Sequence, residues 1–502
     1  MRGEARSRKI EARRSQDNGH YHLIRIWGYM SLHVVWPDPH INEFISPFLR
    51  GKKERPLRLS IHTQSLCDLT EEEDAAYKTI RELGQLKDVD VVATENDVFP
   101  YYRVQPVHDL DGFFNIEVIE GDSLRSLHLG IHSTCIDNSR IYTLAHTFDQ
   151  DDPGFLAARN DITAVEAHSA LQRDIFVTAS PLLLCERNRF QHANIRSPLE
   201  AVKIVGLFLR SRDNWTYSKV GKATCKTDSG LFYWVLARTN LPAMWRYFSG
   251  CVYAQQFLGE NILHIGQSVL VRCTRALQAR DAIGTQFYLL QDNTTRDTMM
   301  YHFDYLTLLL AGIFDAQANI VNIAYHLVDR DVNISFRNRD FLRALRGNST
   351  RHISKIVTSN RCKQLMKMLH SLRNTIHNAG LSMYASNTLA GQQMSLVKVP
   401  ESIQDDLWQA STALSTPEEW GIARKEFLSY DSQVGCLVPQ KEVSIEPYTY
   451  ASQLLREWFG LINDIASATE VERLFVGRDV PELSTQPPAE WHSCMHRFKV
   501  LG

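Results

Sequence analysis

The sequence predicts an α+β multidomain protein, an N-terminal α/β domain followed by an α-helical bundle, and three observations carry that expectation. Between about residues 21 and 220, short runs of β-branched and aromatic residues alternate with helical stretches, the pattern of helices laid on a largely parallel sheet. From about residue 221 to 475, apolar residues recur at helical spacing over long stretches. A chain of 502 residues also exceeds what one apolar core usually organises, so about two to four domains are expected.

In chain order, residues 1–20 read as a basic tail. Arg2, Arg6, Arg8, Lys9, Arg13 and Arg14 are followed by no apolar run of the kind a secretory signal needs. Strands are predicted at residues 58–62, 89–93, 114–119 and 174–178, each rich in Val, Ile or Phe. Between the first two lies a helix that Asp68 or Thr70 can cap. Glu71, Glu72, Glu73 and Asp74 put negative charge at the positive end of its dipole, and Ala75, Ala76, Ile80 and Leu83 form its apolar stripe. A helix over residues 162–171 precedes the strand at 174–178. Ser197-Pro198 then opens a helix over residues 200–210.

The junction to the helical part falls near residues 213–230. A long helix over residues 258–286 carries Ile262, Ile265, Val269, Leu270, Cys273 and Leu277 on one face. A second, over residues 298–327, is apolar enough to be largely buried and is interrupted by Asp304 and Asp315. A third spans residues 353–381 and ends at Gly380. A polar loop at 382–393, weaker helices at 401–412 and 417–428, and a strong helix at 448–468 follow. Residues 476–502, with Pro481, Pro487 and Pro488, read as an irregular tail.

Composition excludes several functions. The formal net charge is -2, from 55 basic and 57 acidic residues, so duplex DNA is not an expected partner. The nine cysteines are scattered with no C-x-x-C pair. They read as free thiols of a reducing, cytoplasmic compartment, with neither a disulfide framework nor a zinc module. No membrane span, cofactor or metal is expected, and the phosphate-loop, dinucleotide and serine-hydrolase signatures are all missing.

One short run can carry chemistry: Arg373-Asn374-Thr375-Ile376-His377. Residues four apart on a helix share a face, so Arg373 and His377 would lie one turn apart with Asn374 beside them. Histidine exchanges protons near neutrality, and arginine offers phosphate a fixed fork of donors. Together they form a minimal kit for metal-free RNA cleavage. The ribose 2′-hydroxyl is activated and the charge on phosphorus is stabilised, leaving a 2′,3′-cyclic phosphate and sparing DNA.

The motif, at the end of a helix and after two long apolar helices, resembles the HEPN family of helical domains, although its Arg-to-His interval is shorter than the family's usual one. The resemblance implies Arg373 as the phosphate-binding residue, Asn374 as its polar companion and His377 as the acid/base group. It also implies an acid from an earlier helix, Asp315 or else Asp304, with Asp315 preferred. The implied activity is that of a metal-independent endoribonuclease or toxin-like effector of a phage-defence system. RNA is the implied partner, and a homodimer would bring two Arg/His sets to one cleft.

The same residues permit a purely structural reading: a helix terminus closed by Asn378 or Gly380, with Arg373 paired to Asp315 or Asp304 in a non-catalytic dimerisation or sensor scaffold. In the N-terminal half, residues 173–183 resemble the last strand of a degenerate PIN-like nuclease fold. Ala179 and Ser180 stand where that family places an acid, and Asp161 and Glu166 are expected to be a helix cap and a solvated face.

Overall fold

The computed structural model describes residues 55–94, 101–106, 113–120, 123–130, 153–185, 187, 190, 193–289, 291–328, 333–387, 393–431, 436–488 and 491–502. The basic tail of residues 1–20 lies outside them. The chain is α+β, with an N-terminal region built on a mostly parallel sheet and a C-terminal region dominated by helices.

The N-terminal region runs β1 (Leu57–Ile61), α1 (Glu71–Leu83), β2 (Val89–Thr94), β3 (Tyr101–Pro106), β4 (Phe113–Glu120), β5 (Ser123–Gly130), α2 (Pro153–Ala170), β6 (Ile175–Val177), α3 (Pro181–Cys185), β7 (Ile195–Arg196) and α4 (Pro198–Ser211). The seven strands lie in the order β5-β4-β3-β2-β1-β6-β7. β1 pairs in parallel with β2 on one side and β6 on the other, Leu59 standing opposite Val91 and Ile175. Leu57, Leu59 and Ile61 share one face of this central strand and are fully buried, while on the opposite face Ser60 is buried and Arg58 partly so.

Local signals set the two helices here. Thr70 caps α1 in a reciprocal box with Glu73, and Ser197 does the same for α4 with Glu200, Pro198 occupying the first turn. Residues 182–184 belong to the short helix α3.

β8 (Thr216–Val220) and β9 (Ala223–Lys226) form a hairpin that leads into the helices α5 (Ser229–Thr239), α6 (Met244–Leu258), α7 (Glu260–Tyr288), α8 (Asn293–Tyr325), α9 (Arg339–Ala344), α10 (Arg351–Val357) and α11 (Asn360–Asn378). α7 and α8, of 29 and 33 residues, fold back on each other as the spine of the helical region. α8 is long and apolar enough to cross a membrane, but two thirds of its most apolar window (67%) is buried inside the protein, with Phe303, Leu310, Ile313 and Phe314 in the core.

Beyond α11 come β10 (Ser382–Asn387), β11 (Gln393–Lys398), α12 (Glu401–Leu414), β12 (Ile422–Asp431), β13 (Cys436–Ile445), α13 (Pro447–Ala468) and α14 (His492–Leu501). Four expectations need correction here. The helical stretch over 353–381 is two helices, because Ser359 leaves the helix to cap α11, accepting from the Cys362 amide at 3.1 Å. The polar loop at 382–393 supplies β10 and the start of β11, and the helix expected at 417–428 gives way to β12. Both belong to an antiparallel sheet ordered β10-β11-β13-β12, whose pairing is set by partners distant in sequence. The tail is not wholly irregular: α14 buries Phe498, Val500 and Leu501.

α14 docks where the two regions meet, against α1 and α4 on one side and β8 and α5 on the other. Phe498 packs against Tyr217 and Phe232 with ring centroids 5.0 Å apart in each pair, and Arg497 bonds Glu82 of α1. Trp491 just before it stacks edge-on against Trp234 at 4.6 Å. The larger apolar cluster has members from Leu57 to Leu501, with Trp215 and Tyr217 of the junction packed against it, and a smaller one gathers Val165, Phe176, Leu183 and Ile195 on the sheet's other side.

Candidate functional site

The last turns of α11 hold the residues singled out by sequence. One face of the helix is apolar: Cys362, Leu365, Met368, Leu369 and Leu372 are buried at helical spacing. That burial turns the other face outward. Arg373 is half-buried beside Leu372, while Asn374 and His377 are exposed. The helix closes as its sequence dictates, with Gly380 at φ 71° and its amide bonded to the Thr375 carbonyl at 3.0 Å.

Asp315, on α8, is engaged by different partners from those expected. It accepts from the Ser335 hydroxyl at 2.8 Å and from Nη2 of Arg337 at 3.4 Å. Nη1 of Arg337 in turn lies 3.3 Å from Nδ1 of His370, which stands one turn before Arg373 on α11. A guanidinium only donates, so Nδ1 of His370 must accept and the proton sits on Nε2. Burial pushes the His370 pKa down to about 4, reinforced by the charges of Arg337 and Arg373 and opposed by Asp315. His370 is thus neutral at pH 7 and acts as a fixed acceptor rather than a proton shuttle.

The structure therefore joins Asp315 to the α11 face through Arg337 and His370. Among the described residues no hydrogen bond links Asp315 directly to Arg373 or His377. Reasoning from sequence missed Arg337 and His370. His370-Ser371-Leu372-Arg373 did carry a signal, since residues three apart share a helix face. Arg337 carried none, because its contacts reach 22 and 33 residues away.

The cluster sits on a cationic stretch. Residues 337–373 contain ten Lys and Arg against one acid, Asp340, within a chain that is nearly neutral. Arg339, Arg346, Arg351, Lys355 and Lys363 are exposed and have no ion-pair partner among the described residues. They follow one another through α9, α10 and the start of α11, while Arg361 and Lys367 on α11 are paired with Glu457, Asp464 and Asp406.

Asp304, the other acid considered, lies on α8 about three turns before Asp315. Burial pushes its pKa up to about 6, and its Oδ1 has no hydrogen-bond partner. A carboxyl whose folded pKa is raised favours the folded state most below its unfolded value near 4. That advantage is lost as pH climbs from about 4 to about 6. Asp304→Asn is accordingly expected to raise the melting temperature more at pH 7 than at pH 4. Equal shifts at both pH values, measured by thermal denaturation, would refute the assignment.

A second polar cluster forms where β1 and β6 end, at the point where the sheet's connections diverge to either side of β1. Nδ1 of His62 lies 3.2 Å from the Thr178 hydroxyl, which donates to Ser65 at 3.0 Å. Nε2 of His62 is 3.6 Å from Asp161, whose other oxygen accepts from Ser180. Asp161 is thus no helix cap: it lies within α2 and ties that helix to the strand ends. The side chain of Glu166 lies outside the described residues.

Burial lowers the His62 pKa against the pull of Asp161. With one carboxylate and its hydroxyls mutually committed, the cluster holds the strand ends together. No group of three or more metal-ligating side chains occurs among the described residues.

Comparisons of the chain with protein-family models, with curated proteins and with solved structures return no match.

Proposed function

We propose that this protein is a metal-independent endoribonuclease of the toxin-like effector kind, cutting single-stranded RNA at the end of α11. The observation that carries the reading is the Arg373-Asn374-His377 turn, its Asn374 and His377 exposed, at the end of a stretch of chain rich in Lys and Arg. Arg373 supplies a phosphate fork, His377 is an imidazole open to substrate, and the Asp315–Arg337–His370 chain fixes the helix turn before them. Arg339, Arg346, Arg351, Lys355 and Lys363 would hold the RNA backbone by charge.

Homodimerisation, which would pair two such faces, is supported by an exposed apolar stripe on α8. Tyr301 is 66% exposed and Leu308 37%, with Tyr305 stacked beside Tyr301. The scattered free thiols fit a reducing, cytoplasmic setting.

The test is incubation of the full chain with single-stranded RNA in EDTA. Cleavage to 2′,3′-cyclic phosphate ends, with the all-deoxy strand left intact, is expected. Uncut RNA, or cleavage that requires a divalent cation, would overturn the reading. Replacing Arg339, Arg346 and Lys355 together by Gln should weaken RNA binding and flatten its salt dependence by about two counterions, at ~0.7 for each lost phosphate contact. An unchanged slope of affinity against salt would place the RNA elsewhere.

A non-catalytic RNA-binding or dimerisation scaffold is the second reading. It is favoured by His377 having no hydrogen-bond partner among the described residues to orient it, and it predicts binding without cleavage.

A further inference from the structure

A cavity of about 750 Å³ lies between α4 of the sheet region and α7, α13 and α14. That is the size of a nucleotide-class ligand site. Its walls carry seven cationic side chains against three carboxylates, and the carboxylates do not neutralise its floor. Glu418 and Glu419 are exposed residues of the short turn before β12. Glu200 is bonded to Arg187 at 3.0 Å and to the Ser197 amide at 2.9 Å.

Behind the floor, Asp281 answers two guanidiniums at once. Nε of Arg210 is 2.7 Å from it and Nη2 of Arg280 is 2.5 Å away. The two guanidiniums share this one charge and also donate to backbone oxygens, Arg210 to Leu501 at 2.9 Å and Arg280 to Gly502 at 2.6 Å. Two further cations, both exposed, line the cavity without an ion pair among the described residues: Lys203 on α4, attracted from farther off by Glu200 and Glu72, and Arg456 on α13, which bonds the Gln453 side chain. Desolvation at the cavity wall and the charges of Arg280 and Arg456 lower the pKa of Lys203, opposed by Glu200 and Glu72. Like charges lining one concavity repel, and an anion bound between them relieves that repulsion.

Another part of the wall carries rings beside Leu277 and Leu455. Tyr288 and Tyr448 meet edge-on with centroids 5.9 Å apart. Gly284 makes room for this arrangement: a Cβ there would lie 2.5 Å from Cε2 of Tyr448. The cavity thus offers a cationic end for phosphate and a ring surface beside it, the two elements from which nucleotide sites are built.

We propose that this cavity binds a phosphate-bearing small molecule of nucleotide size, its phosphates held by Lys203 and Arg456 and its ring against Tyr448. The site is separate from the α11 face and does not depend on the ribonuclease reading.

Isothermal titration calorimetry of the full chain with ATP and with inorganic tripolyphosphate tests it. Saturable binding of one ATP per chain is expected, weakened about tenfold or more by Lys203→Gln and by Arg456→Gln, each removing one charge-assisted contact. Arg339→Gln, on the α11 side, should leave it unchanged. Both cavity variants retain the Asp281 network, and thermal melting verifies that they fold. No binding, or binding that survives the double variant Lys203→Gln/Arg456→Gln, would overturn the site. Tripolyphosphate binding as tightly as ATP would overturn the ring-bearing part of the proposal.

Discussion

His377→Ala is expected to lower single-stranded RNA cleavage by about 10²- to 10⁴-fold, the usual worth of a positioned acid/base group, without changing the melting temperature. The second half of that expectation follows from the structure: His377 is exposed and makes no hydrogen bond among the described residues, so its removal uncovers nothing. Arg373→Ala should cost about 10²- to 10³-fold, the loss of one donor set from the developing charge on phosphorus. Arg373→Lys should recover only part of it, because an ammonium keeps the charge but loses the planar fork. Cleavage that continues at the wild-type rate in His377→Ala would remove the imidazole from the mechanism, whatever Arg373 does.

The largest stability effect is expected at Asp281. This carboxylate, 5% exposed, binds Arg210 and Arg280 and accepts from the Tyr233 hydroxyl at 2.8 Å. Burial alone would raise its pKa, yet the two guanidiniums hold it below the ordinary carboxylate range. Asp281→Ala leaves two mostly buried cations without their counter-charge and should destabilise the protein by about 3–5 kcal/mol, read from the denaturant midpoint. Asp281→Asn retains acceptor capacity for Tyr233 but not the charge, and should fall between. A loss below about 1 kcal/mol for Asp281→Ala would show that water or rearrangement satisfies Arg210 and Arg280, against the closed network described here.

The parts of the fold legible in the sequence are those fixed by neighbours in the chain. α1 and α4 announce themselves through a cap, an acidic first turn or Pro198, and a periodic stripe. α7, α8 and α13 do so through apolar runs too long for strands. The second sheet was illegible because its information is non-local. Ile422-Ala423-Arg424-Lys425-Glu426 has the composition of a helix, and only its ten-residue pairing with β13 makes it a strand.

The site divides the same way. Arg373, Asn374 and His377 stand on one helix and could be read from spacing. Asp315 could be named from its depth in an apolar run, but its partners could not, since Ser335 and Arg337 arrive on the segment that follows α8. His370 was within reach, three residues before Arg373.

The placement of α14 bears on how the protein can be divided. Phe498 fills a gap between Tyr217 and Phe232, Arg497 clasps Glu82, and the backbone carbonyl of Leu501 receives a bond from Arg210 at 2.9 Å. Residues near 500 thus finish a structure begun near 57, across more than four hundred positions of chain. Cutting at 213–230 would give a sheet fragment missing one of its walls and a helical fragment whose last helix has lost Tyr217, Glu82 and α4 from its packing. Neither piece should be obtainable in folded form alone, and the intact chain should fold slowly, because its last closure joins the most distant segments.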